Sequence, residues 1–272
     1  MDKTNNISVH RWLDKVLARG SYGFSIDLLR RELPELSDTA IKRALNRLSR
    51  NKKVISLHKG YYLIIPPQYT VKGILPQQLY LDAFMKYLRR SYYVALLNAA
   101  AYNGASHQQP QEYFVITGFP VLRANQKKGR KINFISIKEI PSELIEKKKT
   151  EAGYLNVSNS ALTACDLVQF EKRVGGLNRV AEVLNELAET IQPSCFSKTL
   201  LQHTHITALQ RLGYLLEEVC HQIELADALY QAMNNEKLTL YRTPLKPSGE
   251  IKGFSSDNRW KVIVNIEIEL DE

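Results

Sequence analysis

Apolar residues from Ile41 to Leu48 recur at i, i+3, i+4 and i+7, as Ile41, Ala44, Leu45 and Leu48, which predicts a helix with one buried stripe. Ser37 just before it is a good N-cap, since its side-chain oxygen can accept from the open amides of the first turn. Two short β-prone runs follow, Lys53 to Leu57 and Tyr61 to Ile65, around His58-Lys59-Gly60. Gly60 supplies the positive φ of a tight hairpin turn. Upstream, Trp12, Leu13, Val16 and Leu17 have helical spacing between His10 and Leu17, and Gly20 is a stop signal. Ser25 caps a second expected helix running to Leu33, and Pro34 breaks it. Three helices and a hairpin within 70 residues have the layout of a winged helix-turn-helix.

Beyond Pro66-Pro67 and the Gly73 to Pro76 stretch, helices are expected at Gln78 to Leu88, Tyr92 to Tyr102, Asn159 to Phe170 and Leu177 to Ile191. A short one is expected within Pro193 to Ile206, and a pair at Thr207 to Val219 and Ile223 to Met233 with a kink near His221. Strand-like runs are Tyr113 to Thr117, Ile132 to Ile137, Leu238 to Tyr241 and Trp260 to Leu270. The expected class is therefore α+β: a winged helix-turn-helix domain over 1–70, then a larger mixed α/β domain over 71–272. At 272 residues and 44% hydrophobic content the chain has room for both.

Charge sharpens the first domain. The chain holds 37 Lys and Arg against 28 Asp and Glu, a net charge of +9. Residues 1–70 alone hold 13 basic and six acidic side chains, and the remainder is near neutral. Cations facing phosphate release counterions, so an excess of this kind on a helix-and-hairpin unit points to duplex DNA. The polar face of the capped helix carries Thr39, Lys42, Arg43, Asn46 and Arg50, with Arg47 on its flank. Arg43 and Asn46 are the candidates for guanine and adenine edges. Lys42, Arg47, Arg50, Lys52 and Lys59 suit phosphates, and His58 sits at the tip of the hairpin. A single module has a small footprint, so cooperative or dimeric binding is expected. The basic run Lys127-Lys128-Gly129-Arg130-Lys131 reads as a solvated hairpin tip or a second DNA contact.

Other chemistry is thin. No apolar run approaches the ~20 residues of a membrane span. Met1 to Asn6 lack the apolar core of a signal peptide, so a cytoplasmic location is expected. Cys165, Cys195 and Cys220 are odd in number and widely spaced, as reduced thiols would be. Glu250-Ile251-Lys252, with Asp166 as partner carboxylate, has the acid-x-Lys spacing of a metal-dependent nuclease. His203, His205, Cys195 and His221 offer a metal cluster only if the fold gathers them. No phosphate-cradling Gly-rich loop and no hydrolase motif is present, so neither catalysis nor a cofactor is expected. A regulator whose C-terminal domain senses a ligand stands as the alternative from residue patterns.

Six segments in order carry a resemblance: Tyr92 to Ala101, Gly104 to Gln111, Ala161 to Val168, Val174 to Leu177, Gln210 to Glu217 and Trp260 to Asn265. Their order resembles the AbiEi antitoxins of bacterial abortive-infection systems, which form type IV toxin–antitoxin pairs. The resemblance implies a winged helix that binds inverted repeats upstream of its own operon and represses it. It also implies a C-terminal domain that opposes a nucleotidyltransferase-like toxin, with no catalytic residues. The DNA contacts it implies are the helix residues Thr39, Lys42, Arg43, Asn46, Arg47 and Arg50, and Lys52, His58 and Lys59 around the wing.

Overall fold

The computed structural model describes residues 8–71, 75–105, 110, 112–127, 130–256 and 258–270. Its first elements are α1 (Val9–Ala18), β1 (Gly23–Ser25), α2 (Ile26–Glu32), α3 (Asp38–Arg50), β2 (Val54–His58) and β3 (Tyr61–Ile64). Ser8, Ser25 and Ser37 each cap the helix that follows, accepting from Arg11, Leu28 and Ala40 amides. Each cap satisfies one of the amides that a helix start leaves open. The three strands form an antiparallel sheet in the order β1-β3-β2, with Gly23 opposite Leu63 and Val54 opposite Ile64. Trp12, Leu13, Val16, Phe24, Leu29, Ile41, Leu45 and Leu48 share one core beneath this sheet. Trp12 meets Phe24 edge-on at 5.1 Å and gives its indole N–H to Glu32 at 2.8 Å, so its polar atom is not stranded.

Next come α4 (Pro67–Thr70), α5 (Leu81–Tyr87), β4 (Tyr92–Val94), α6 (Leu96–Tyr102), β5 (Glu112–Gly118), β6 (Asn125–Lys127), β7 (Arg130–Ile137), β8 (Ile145–Thr150) and β9 (Gly153–Ser158). They are followed by α7 (Ser160–Gln169), α8 (Glu171–Val174), α9 (Leu177–Ala188), α10 (Lys198–His203), α11 (Ile206–Tyr214), a π-helical turn at Leu215–Val219 and α12 (Ile223–Asn235). Two short strands, β10 (Thr243–Pro244) and β11 (Val262–Ile263), complete the order. A six-stranded sheet runs β6-β7-β5-β4-β9-β8. The class is thus mixed α and β, as expected.

Two compact units emerge. Unit 1 comprises residues 1–92, 117–138 and 147–156, and unit 2 comprises 93–116, 139–146 and 157–272. The first therefore reaches past residue 70. Within it, Phe84 and Tyr87 of α5 pack on Tyr61 of β3 at 5.3 and 4.8 Å between ring centroids. In unit 2, α7 is buried from Ala161 through Val168 and forms the centre of the helical core.

Several expectations change. Tyr92 to Tyr102 is not one helix, because Tyr92–Val94 is a strand and the helix starts at Leu96. Tyr93 and Val94 are fully buried between neighbouring strands, and a short apolar run buried on both faces has no telling periodicity. The Gln78 to Leu88 helix begins only at Leu81, after a 3-10 turn at Gln77–Leu79. Strands β8 and β9 lie where no element was expected. Trp260 to Leu270 pairs only through Val262 and Ile263, and Leu238 to Tyr241 forms no strand. There side-chain amides replace a ladder: Asn258 holds the backbone N–H and C=O of Val262, while Asn265 holds Lys246 and the Glu250 carbonyl.

Candidate nucleic-acid interface

The turn before α3 is set by charge as well as by Pro34. Arg30 of α2 donates through Nε and Nη2 to both oxygens of Asp38 at 2.9 and 3.0 Å, and through Nη1 to Asp27 at 3.0 Å. The two carboxylates raise the Arg30 pKa by hydrogen bonding and Coulomb attraction, although the pair is exposed. This fork fixes the start of α3 relative to α2 more than it stabilises either helix.

Ile41, Leu45 and Leu48 are buried and Ala44 is half-buried, so the opposite face of α3 is left to solvent. Thr39, Lys42, Arg43, Asn46, Arg47 and Arg50 are all exposed on it. Among the described residues none of these six side chains makes an ion pair or a hydrogen bond. Unpaired donors of both cationic and amide type stand together over three turns of helix. Lys52 and Lys59 are exposed as well, and His58 is exposed at the hairpin tip. Lys53 is exposed but engaged, its ammonium 2.7 Å from Nε2 of His10, whose Nδ1 faces Asp14 at 3.3 Å.

The hairpin tip is held from behind. Gly60 sits at φ +76°, its carbonyl accepts from Ile26 N–H at 2.8 Å, and the Lys59 carbonyl accepts from the Tyr87 hydroxyl at 3.0 Å. A Cβ on Gly60 would come within 2.9 Å of that hydroxyl. The His58 ring lies 6.0 Å from Phe84 and 6.5 Å from Tyr87. These supports from α5 carry no signal in the sequence, because nothing in the apolar pattern of 81–87 says which hairpin it meets. Of the basic run 127–131, Lys128 and Gly129 lie outside the described residues, and Lys127 and Arg130 fall in β6 and β7.

The other candidates do not assemble. Asp166 is buried on α7, where it accepts from the Tyr93 hydroxyl at 3.1 Å, and burial lifts its carboxyl to about 8. Glu250 and Lys252 are exposed on a loop, so the three cannot share a metal site. Among the described residues no group of three or more His, Cys, Asp or Glu side chains is placed to hold a metal ion. Burial depresses the His203 pKa, with Glu139 opposing and His205 adding to the shift. All three cysteines are free, and burial pushes the Cys165 and Cys220 thiols up to about 12. Among the described residues no helix is long and apolar enough to cross a membrane.

No curated protein matches the chain. Among solved structures, the crystal structure of the RV2827C protein from Mycobacterium tuberculosis is similar, with a TM-score of 0.68 at 16% identity. The likeness covers 93% of this chain and 90% of that one, and at such identity it speaks to the fold. Residues 93–218 match the family described as the AbiEi antitoxin C-terminal domain, a stretch that takes in most of the motifs at Tyr92 to Ala101, Ala161 to Val168 and Gln210 to Glu217.

Proposed function

We propose that this chain is the antitoxin of a type IV toxin–antitoxin pair. Residues 1–70 act as a winged helix-turn-helix that binds inverted repeats upstream of the operon and represses it. Residues 71–272 counteract a nucleotidyltransferase-like toxin in the same cytoplasm. The observation that carries the antitoxin role is the family match over residues 93–218. The DNA-binding role is supported by the solvent face of α3, where Lys42, Arg43, Asn46, Arg47 and Arg50 are exposed without intramolecular partners among the described residues.

The mechanism follows from side-chain chemistry. A helix fits the major groove, and there Arg43 forks onto guanine while Asn46 pairs with adenine. Lys42, Arg47 and Arg50 reach the flanking phosphates and fix the register, and Lys52, His58 and Lys59 meet the backbone from the hairpin. Thr39 in the first turn donates its hydroxyl to a phosphate or a base edge. Two copies on two half-sites supply the footprint that one module lacks.

Two measurements test the halves of this reading. Cells expressing the adjacent gene should stop growing and should recover when the full chain is co-expressed; no recovery with both proteins folded removes the antitoxin role. Titration of the full chain against a duplex from upstream of its own gene should give tighter binding than a scrambled duplex of equal length. Equal affinities would remove the repressor role.

A further inference from the structure

A cavity of about 250 Å3 lies within unit 1. Three stretches remote in sequence wall it: the turn from α1 into β1, the start of α5, and the turn from β8 into β9. At ~30 Å3 per molecule of liquid water it has the space of about eight waters, somewhat below the roughly 300–1,000 Å3 of sites for drug-sized ligands. A short-chain metabolite fits it and a nucleotide does not. Leu79, Ala83 and Ala152 are the apolar side chains of the wall, and polar ones outnumber them. That is the reverse of an ordinary ligand pocket, where a few polar groups stand among apolar ones.

Four of the polar side chains have nothing to bond. Arg19, Tyr22, Gln78 and Tyr154 form no hydrogen bond among the described residues, and the Arg19 guanidinium comes only within 4.0 Å of Glu32. Burial, Glu151 and Tyr69 raise the Tyr22 pKa, so its hydroxyl keeps its proton and can donate. The other polar groups are engaged. Ser21 donates to the Gly23 carbonyl and Thr150 to the Gly153 carbonyl, each at 3.1 Å. Asp82 takes the Lys86 ammonium at 2.6 Å and the Tyr92 hydroxyl at 3.0 Å. Lys86 and Asp82 neutralise one another, so Arg19 supplies the excess charge of the wall. A guanidinium forks onto a carboxylate with two parallel bonds. Two phenols and a carboxamide both donate and accept, which suits alcohol groups. Water satisfies such groups singly on any open surface; four of them on one small volume, with an excess cation, match a single small solute.

The walls are also supports of the hairpin. The Tyr22 carbonyl accepts from the Ile64 N–H of β3 at 2.9 Å, and Gly23 beside it is the partner of Leu63. On α5, Asp82 and Lys86 flank Phe84, whose ring packs on Tyr61 of β3. A solute joining Tyr22 to Gln78 therefore holds the α1–β1 turn and the start of α5 together beside β3. We propose that this cavity binds a small hydroxylated monocarboxylate, its carboxylate on Arg19 and its hydroxyls on Tyr22, Gln78 and Tyr154, and that the bound ligand stiffens the β2–β3 hairpin. The assignment does not depend on what α3 binds.

The test uses the full chain and three probes of equal chain length: D-gluconate, hexanoate, which lacks the hydroxyls, and sorbitol, which lacks the carboxylate. Calorimetric titration should show saturable binding of gluconate at one site per chain, about tenfold or more tighter than either other probe. Arg19→Gln should weaken gluconate by about tenfold or more, and Tyr154→Phe by about two- to tenfold. Both positions are exposed, so the melting temperatures should stay near that of the parent. Lys237→Gln, exposed in unit 2, should change nothing. Saturating gluconate should slow amide exchange at Ile64, followed by NMR, and the same concentration should leave that amide unchanged in Arg19→Gln. Absence of saturable gluconate binding, equal binding of hexanoate or sorbitol, or full affinity in Arg19→Gln and Tyr154→Phe overturns the site. Binding that leaves the Ile64 exchange rate unaltered overturns its link to the hairpin.

Discussion

Gly213 of α11 lies directly under the six-membered ring of Trp260, so close that a Cβ at position 213 would collide with Cε3, Cζ3 and Cη2 of the indole. Trp260 is fully buried, and the neighbouring Gln210 carboxamide donates to its carbonyl at 2.6 Å and to the Tyr241 carbonyl at 2.7 Å. Glu217 accepts from the indole N–H. Helix α11 and the π-helical turn that follows it thus fasten a nearly strandless segment through a missing side chain and two polar ones. Gly213→Ala should destabilise the protein by about 1–3 kcal/mol, the usual cost of overpacking, despite the better helix propensity of alanine. Trp260→Leu should cost stability too, but in that background Gly213→Ala should cost much less, because the ring it strikes is gone. Urea unfolding of the four proteins measures the coupling. Additive effects would mean that the two residues do not bear on one another.

Asp166 gives the protein a pH dependence of known sign. Its carboxyl rises from 3.8 in the unfolded chain to about 8 in the fold, chiefly because burial penalises the charge, with the Tyr93 hydroxyl opposing. Between those values the native state binds a proton that the unfolded state has released. Stability is therefore fully present below about pH 4 and is lost as pH rises toward 8, by at most about 1.4 kcal/mol per pH unit. Asp166→Asn keeps the shape and removes the titration. The difference in unfolding free energy between parent and variant, measured at pH 5, 6, 7 and 8, should move steadily against the parent. A constant difference would show that the carboxyl is ionised throughout. Taking the difference cancels the opposite slope from His203, whose pKa is depressed.

The N-terminal helices and hairpin were legible because each is announced locally. Ser37 caps, Ile41 and its helical partners repeat, Pro34 breaks and Gly60 turns, and those signals agree with one another. Strand β4 was not legible, since Tyr92-Tyr93-Val94 is apolar on both faces and sits against an Ala-rich helix. Its assignment depends on strands β5 and β9, which are remote in sequence. The opposite failure occurs at Val262 to Ile268, where strand-like alternation is real but only Val262 and Ile263 pair, and Asn265 turns its carboxamide to the Lys246 backbone and the Glu250 carbonyl. The face of α3 was readable as a cationic stripe. The support of the hairpin by Tyr87, and the gathering of 117–138 and 147–156 into the same basic unit, are long-range facts that no local pattern records.

The proposed division of labour on α3 has its own consequence. Arg43 and Asn46 are exposed, lie on one face and make no intramolecular bond among the described residues. Replacing both with alanine should leave the melting temperature almost unchanged, as surface substitutions usually do. Discrimination between the upstream duplex and a scrambled one should fall by about 1–3 kcal/mol for each bidentate pairing with a base that the substitution removes. Fluorescence anisotropy on both duplexes at one salt concentration gives the ratio. An equal weakening on the two would reassign Arg43 and Asn46 from base edges to phosphates.

Tyr87 should matter to DNA binding without touching DNA. Its hydroxyl donates to the Lys59 carbonyl at 3.0 Å, and its ring lies 4.8 Å from Tyr61. Tyr87→Phe keeps the ring packing and removes only the bond that ties the hairpin tip to α5. Stability should drop by about 0.5–1.5 kcal/mol, the ordinary net worth of one hydrogen bond. If Lys59 meets phosphate, a looser tip gives up more conformational entropy on binding, so affinity for both duplexes should fall while their ratio is kept. The diagnostic comparison is with Lys59→Gln, which removes the cation itself. Tyr87→Phe should weaken parent binding but have no further effect in the Lys59→Gln background. Independent, additive decreases in affinity would instead place the role of Tyr87 in the fold at large and not in the hairpin tip.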